Sequence, residues 1–172
     1  MAHPPHQDGY LHAAAPALNG AQAARVGVSA ACREVAEYAA RFVSTTGDEH
    51  AEPGDFIAFG IRVRRMALEL MFRTVTVERM RGTSWEVIAD RLHMNVDTCI
   101  GEFGHADLSH HASAHGQIVW DVLAKTCINP IPGGCADTAD EGAVELDAWY
   151  LRWLQPDNHP AQPPTCAVTA NL

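Results

Sequence analysis

The chain has 172 residues, of which 47% are hydrophobic and 19% are charged, and its formal net charge is -9. This composition is typical of a folded globular protein and argues against wholesale disorder. The length suits one compact domain and is short for two. No apolar run approaches the roughly 18 residues that a membrane span requires, so we expect no membrane partner.

The N-terminus and the cysteines indicate a cytoplasmic protein. The first residues lack the basic and apolar regions of a secretory signal peptide, so we expect no export. The five cysteines are scattered along the chain and form no Cys-x-x-Cys pair. This usage argues against a disulfide framework and favours a reducing compartment.

The sequence divides into a central region and two terminal segments. Residues 1–23 are rich in Ala, Pro, Gly and His and lack helical periodicity, which predicts a disordered arm. Residues 155–172 contain four prolines and predict a disordered tail. Residues 24–154 show no alternating run of β-branched residues, so we predict one all-α domain of five to six helices.

Two helices are predicted in the first half of this domain. The first begins at the N-cap Ser29 and runs to about residue 44. The second covers roughly residues 55–81 and is ended by Gly82. An apolar stripe is expected along the second helix, made of Phe56, Phe59, Val63, Met66, Leu70 and Val77.

Two short helices joined by a three-residue turn are predicted within residues 83–103. Thr83 and Glu86 have the spacing of a capping box, which starts the first of them. Asn95 is the expected N-cap of the second, which ends near Phe103. This arrangement after a longer helix follows the helix-turn-helix plan. The side chains expected to pack between the two helices are Trp85, Ile88, Ala89, Leu92, Cys99 and Phe103.

The residues from Gly82 to Leu92 read Gly-Thr-Ser-Trp-Glu-Val-Ile-Ala-Asp-Arg-Leu. This segment resembles the Gly-x-Ser-Trp-x-x-Ile-Ala-x-x-Leu motif of small actinobacterial helix-turn-helix proteins, and it is more distantly similar to region 4 of sigma factors. The resemblance covers roughly residues 73–104. It implies a protein related to transcription regulation that binds DNA, with its second short helix as the recognition helix.

On this resemblance, the exposed residues of the second short helix face bases and two arginines contact phosphates. The candidate DNA-binding residues are Arg81, Arg91, Asn95, Val96, Asp97, Thr98, Ile100 and Gly101. The chain departs from the family at His93, where Gly is usual, and at Glu102, where Arg is usual. A left-handed turn residue is less favourable for His than for Gly, so we expect a strained or altered turn.

The charge pattern argues against strong DNA binding. Residues 61–91 hold seven arginines and four acids, whereas residues 92–121 hold four acids and neither Lys nor Arg. DNA binding depends on cations that neutralise phosphates, so we expect weak DNA binding. The alternative is a degenerate helix-turn-helix whose acidic second helix serves as a protein-protein interaction module.

A further helix is predicted within residues 105–127, and its histidines form a weak candidate metal site. His111 and His115 are four residues apart and would share one helical face. No ligand spacing here is diagnostic, and a polar helical face explains the same residues, so we expect no metal and no cofactor. The chain also lacks a Gly-rich phosphate loop and a Gly-x-Ser-x-Gly motif, so we expect no enzymatic activity.

A last helix is predicted to begin at a second capping box, formed by Thr138 and Glu141. Its apolar face is rich in aromatic residues, namely Trp149, Tyr150 and Trp153 together with Leu154. Two interpretations remain for this face. It closes the core over the long helix, or it forms the homodimer interface that a two-fold DNA-binding protein requires.

Overall fold

The structure is a computed structural model that describes residues 17–46, 48–126, 136–154, 168, 169 and 172. Within these residues it contains six α-helices and no β-sheet, which confirms the predicted all-α class. The helices are α1 (Gly20–Ala40), α2 (Asp55–Met80), α3 (Trp85–Leu92), α4 (Val96–Phe103), α5 (Gly116–Thr126) and α6 (Ala139–Leu154). None of the described helices is both long enough and apolar enough to cross a membrane.

The main core lies where α1 packs against α2, α5 and α6. It is built largely from small and medium apolar side chains, which allow the helices to approach closely. Its buried members are Ala23, Ala24, Val26, Val77, Met80, Val119, Trp120, Leu123, Ala139, Ala143 and Leu146. The end of α2 therefore belongs to this core, whereas the first half of α2 contacts chiefly α1.

Helix α1 begins earlier than the sequence predicted. Asn19 is its N-cap: its side chain accepts a hydrogen bond from the Gln22 amide at 3.0 Å, and the Gln22 side chain accepts one from the Asn19 amide at 3.0 Å. Residues 20–23, predicted as part of a disordered arm, are helical, and the start predicted at Ser29 is wrong. Residues 1–16 lie outside the described part of the chain.

The long helix α2 matches the prediction over residues 55–81 and is followed by Gly82 in a left-handed conformation, with a φ of 85°. On its first half, Phe59 stacks on Tyr38 of α1, with ring centroids 5.3 Å apart. The predicted apolar stripe is half-buried or buried from Phe59 onward. Phe56 is the exception, because it stays 56% exposed.

The start of α3 differs from the prediction in its capping residue. Ser84 is the N-cap, and its hydroxyl accepts a hydrogen bond from the Val87 amide at 3.5 Å. The Thr83 hydroxyl instead donates to a carboxylate oxygen of Glu78 at 2.6 Å. The predicted capping box of Thr83 and Glu86 is therefore wrong, because Glu78 at the end of α2 competes for the Thr83 hydroxyl.

The predicted N-cap of α4 is confirmed, and the segment after α4 is less regular than predicted. The Asn95 side chain accepts a hydrogen bond from the Asp97 amide at 2.8 Å. Residues 105–115 form short 3-10 turns rather than an α-helix, so α5 begins only at Gly116. One cause is Asp107, whose carboxylate accepts a hydrogen bond from the Ser109 amide at 3.0 Å and holds the chain in a turn.

The predicted capping box at the last helix is confirmed. The Thr138 hydroxyl accepts from the Glu141 amide at 3.2 Å, and the Glu141 carboxylate accepts from the Thr138 amide at 3.3 Å. On this helix Trp149 is half-buried and Tyr150 is exposed. The side chains of Trp153 and Leu154 lie outside the described residues.

Three residues of the predicted disordered tail are described, and each of them contacts the helical domain. The buried Asp147 carboxylate of α6 accepts hydrogen bonds from the Val168 amide at 2.7 Å and from the Thr169 hydroxyl at 2.6 Å. The Gln22 side-chain amide of α1 donates to the Leu172 carbonyl. These contacts attach Val168 and Thr169 to α6 and Leu172 to α1, and the rest of residues 155–172 lies outside the described part.

Candidate functional site on the two short helices

A second, separate core holds α3 and α4 together and fixes them to α2. Its buried residues are Val75 of α2, Ile88 and Ala89 of α3, and Cys99 and Phe103 of α4. Trp85 and Leu92, also predicted to pack here, are partly buried against it, together with Phe72, Met94 and Val96. Burial raises the pKa of the Cys99 thiol, which keeps it protonated. The two short helices therefore form one packed unit on the end of α2.

The turn between the two helices adopts the left-handed conformation, which is less favourable for His than for Gly. His93 has a φ of 54° and a ψ of 41°, which places it in the left-handed region. Its amide donates to the Asp90 carbonyl at 3.1 Å, and the Met94 amide donates to the Ala89 carbonyl at 2.9 Å. These two bonds form a Schellman motif, which satisfies the last carbonyls of α3. The imidazole itself is exposed to solvent.

The exposed face of α4 is acidic and partly apolar. Its exposed residues are Asp97, Thr98, Ile100, Gly101 and Glu102, and Asn95 is exposed just before the helix. Val96, expected among the base-facing residues, is instead half-buried against the α3–α4 core. The Asn95 side chain is already engaged as the N-cap. The face thus presents two carboxylates and the apolar side chain of Ile100.

Three of the arginines of residues 61–91 are engaged within the fold. Arg79 binds Asp107 at 2.9 Å, donates to the Thr83 carbonyl at 2.6 Å and lies over the Trp85 ring. Arg73 is buried and donates to the Gly27 carbonyl at 2.9 Å. Arg62 lies over the ring of Tyr38, 5.0 Å from its centroid. These side chains do not converge beside α4.

The two predicted phosphate contacts occupy different positions around α3. Arg81 is exposed, with its guanidinium 3.6 Å from a carboxylate oxygen of Glu78. Arg91 is exposed and lines a groove of about 390 Å³ between α2 and α3, which Glu78 and the half-exposed Val87 also line. The sequence did not predict this groove, since it depends on the angle at which α3 packs on the end of α2.

The histidines do not form the metal site considered from their spacing. His111 and His115 lie in turns rather than on one helix. The Nδ1 atom of His115 accepts a hydrogen bond from the Gln117 amide at 3.3 Å, and His105 packs on Phe72, with ring centroids 4.6 Å apart. The described residues contain no group of three or more side chains placed to hold a metal ion.

No protein-family model matches this chain, and no curated protein or solved structure matches it either. The fold itself defines an all-α protein in which two short helices pack together on the end of a long helix.

Proposed function

We propose that α3 and α4 form a helix-turn-helix unit, of the type that the sequence resembles, whose second helix binds a basic surface of a protein partner. The observation that carries this proposal is the exposed face of α4. Asp97 and Glu102 are exposed near its two ends, Ile100 is also exposed, and the helix carries neither Lys nor Arg. A helix whose exposed charges are all of one sign, and which also exposes an apolar side chain, favours a partner surface of complementary charge.

The electrostatics of α4 are unfavourable for the major groove of DNA. A recognition helix lies between two phosphate backbones, so carboxylates on its exposed face are repelled from both sides. Arg79, the cation that could have offset this repulsion from the end of α2, is bound to Asp107. The same carboxylates would be stabilised by Lys or Arg side chains on a protein partner.

DNA binding is retained as a second candidate because of one specific arrangement. Arg81 and Arg91 are both exposed near the ends of α3, next to a second helix whose Thr98 and Gly101 are exposed. This is the arrangement of phosphate and base contacts that the resemblance to the helix-turn-helix family implies. Two cations against two carboxylates support weak, salt-sensitive binding at most.

A charge reversal on α4 distinguishes the two candidates. The immobilised protein is used to retain partners from an actinobacterial extract, with Glu102→Arg as the test variant and Glu52→Arg as the control. Both variants replace Glu with Arg, so they change the net charge equally. Glu52 is exposed in the connection before α2, away from α4 in the chain. Protein binding through α4 predicts a partner that is retained by the wild type and by Glu52→Arg and is lost with Glu102→Arg.

The same variants are then titrated with labelled duplex DNA over a range of salt concentrations. On the proposal, the logarithm of the binding constant falls with the logarithm of salt no more steeply than about -0.9, the slope for one phosphate contact. A steeper slope, with DNA affinity increased by Glu102→Arg and not by Glu52→Arg, would replace the protein-binding proposal with the DNA-binding one.

A further inference from the structure

One face of α2 carries a row of exposed apolar side chains between Ile57 and Met71. Ile57 is 69% exposed, Ile61 is 65% exposed and Leu68 is 50% exposed, and Met71 is also exposed. They lie on the side of α2 opposite to Phe59, which packs on α1. Isolated apolar residues on a surface are ordinary, but four on one helical face, interrupted only by Arg64, indicate a contact surface.

The spacing of this row is that of a coiled coil. We call it the α2 seam and define it as Ile57, Ile61, Arg64, Leu68 and Met71. Its members are separated by alternating steps of four and three residues, which is the a and d pattern of a heptad repeat. The seam extends over about 21 Å of helix. The next position in the pattern is Val75, which is buried beneath α3 and α4.

The charge around the α2 seam is positive. Arg64 occupies a central position in the seam, and Arg65 is exposed beside it. Residues 56–68 contain no Asp or Glu. The next acid, Glu69, is held by Arg73 at 2.7 Å. A helix that packs on this seam must therefore supply both apolar side chains and carboxylates.

The shape and the charge of the seam favour one occupant. A second copy of the chain packed symmetrically along the seam would place the Arg64 and Arg65 side chains against their own counterparts. A flat lipid surface cannot lie along the whole seam, because α3 and α4 pack on Phe72 and Val75 at one end of the same face of α2. A single helix can lie along the seam and end against this step.

We propose that the α2 seam binds an acidic amphipathic helix of a partner protein, which packs on the side of α2 opposite to α1. Apolar residues of the partner fill the spaces around Ile57, Ile61 and Leu68, and its Asp or Glu residues pair with Arg64 and Arg65. This surface is opposite in charge to the exposed face of α4. The inference therefore goes beyond the proposed function and does not depend on it.

The test uses the full chain and two designed helical peptides of about 20 residues. Both have Leu at the a and d positions, and they differ in having Glu or Lys at the flanking positions. Binding is followed by fluorescence anisotropy of the labelled peptides. We expect the acidic peptide to bind at least about tenfold more tightly than the basic one, and we expect the double variant Arg64→Glu, Arg65→Glu to invert this preference.

A single substitution in the seam tests the apolar contact. Ile61→Asp is expected to weaken binding of the acidic peptide about tenfold or more, because it replaces an aliphatic side chain that the peptide would bury with a carboxylate that repels the peptide. Val144→Asp is the matched control, since Val144 is 63% exposed on α6 and lies outside the seam. Both positions are exposed, so both variants are expected to fold, which their circular dichroism and thermal unfolding verify.

Four results would overturn the inference. One is equal binding of both peptides, and another is an unchanged preference in the Arg64→Glu, Arg65→Glu variant. A third is a dimer in sedimentation experiments that Ile61→Asp dissociates, which would assign the seam to a second copy. The fourth is binding to phosphatidylglycerol vesicles that Ile61→Asp abolishes, which would assign it to lipid. Glu102→Arg should leave peptide binding unchanged, so failure here is separate from failure of the α4 proposal.

Discussion

Two nitrogens of the Arg79 guanidinium, Nε and Nη2, both lie 2.9 Å from the same carboxylate oxygen of Asp107. This contact joins the end of α2 to the segment that follows α4, so it closes the chain around both short helices. The side chains of Arg79 and Asp107 are both only partly exposed to solvent. The contact therefore stabilises the α3–α4 unit, and it also removes a cation that DNA binding would require.

The first prediction concerns the pH dependence of this contact. Burial alone would raise the pKa of Asp107, but hydrogen bonds from Ser109 and the guanidinium of Arg79 outweigh burial and hold the pKa below its usual value of 3.8. A carboxylate with a lowered pKa in the folded state stabilises that state above the unfolded-state pKa. This stabilisation is lost as the pH falls from about 4 through the lower pKa of the folded protein.

Asp107→Asn is expected to lower the free energy of unfolding by about 1–2 kcal/mol at pH 7, because the hydrogen bonds to a charged group are lost. Urea unfolding at pH 7 and pH 3 measures the difference from the wild type, which should shrink at the lower pH. Asp48→Asn, at an exposed position, should have little effect at either pH. An equal loss for Asp107→Asn at both pH values would mean that the carboxylate charge does not stabilise the fold.

The short helices could be predicted because their signals are local. Ile88, Ala89 and Leu92 follow helical spacing, and Asn95 is a strong N-cap three residues after Leu92. The sequence pattern predicts Thr83 as the N-cap of α3. This prediction is wrong because the carboxylate of Glu78, in the preceding helix, binds the Thr83 hydroxyl. The capping-box pattern covers residues 83–86 alone, so it does not include Glu78.

The second prediction concerns the left-handed turn residue. His93→Gly is expected to raise the free energy of unfolding by about 0.5–1 kcal/mol, because glycine adopts the left-handed region without the steric cost that other residues bear there. His93→Val is expected to lower it by at least about 1 kcal/mol, because a β-branched side chain tolerates this conformation least. Urea unfolding of both variants tests the pair, and a loss of stability with His93→Gly would show that the imidazole makes a stabilising contact.

The beginning of α1 could not be predicted from hydrophobic periodicity, since its contacts depend on small residues. The Gly20 amide donates to the Ala114 carbonyl at 2.8 Å, and a side chain at Gly20 would meet the His111 carbonyl oxygen at 2.1 Å. Glycine and alanine in such a contact carry almost no amphipathic signal. The hydrogen-bond partners of the arginines could not be predicted either. Arg73, for example, donates to the carbonyl of Gly27, which is 46 positions away in the sequence.

The third prediction compares the same substitution at two helical glycines. Gly20→Ala is expected to destabilise the protein by about 1–3 kcal/mol, because a backbone carbonyl occupies the space that the new methyl group needs. Gly60→Ala is the control: nothing lies within 4 Å of the added methyl group, and alanine is the better helix former by about 0.5–1 kcal/mol. Thermal unfolding should move in opposite directions for the two variants. A stabilising effect of Gly20→Ala would contradict the close approach of α1 to residues 111–114.

The fourth prediction concerns the crossing of α3 and α4. Ala89 is 1% exposed in the core that joins the two helices, so no space is left there for a larger side chain. Ala89→Leu is expected to lower the free energy of unfolding by about 1–3 kcal/mol through overpacking. Ala67→Leu is the matched control, because Ala67 is exposed on α2 and the same change there should be within about 0.5 kcal/mol of neutral. If urea unfolding gave equal effects for the two variants, the crossing at Ala89 would be looser than the structure has it. Both the acidic face of α4 and its separation from the arginines depend on that crossing, since it fixes which side of α4 is exposed.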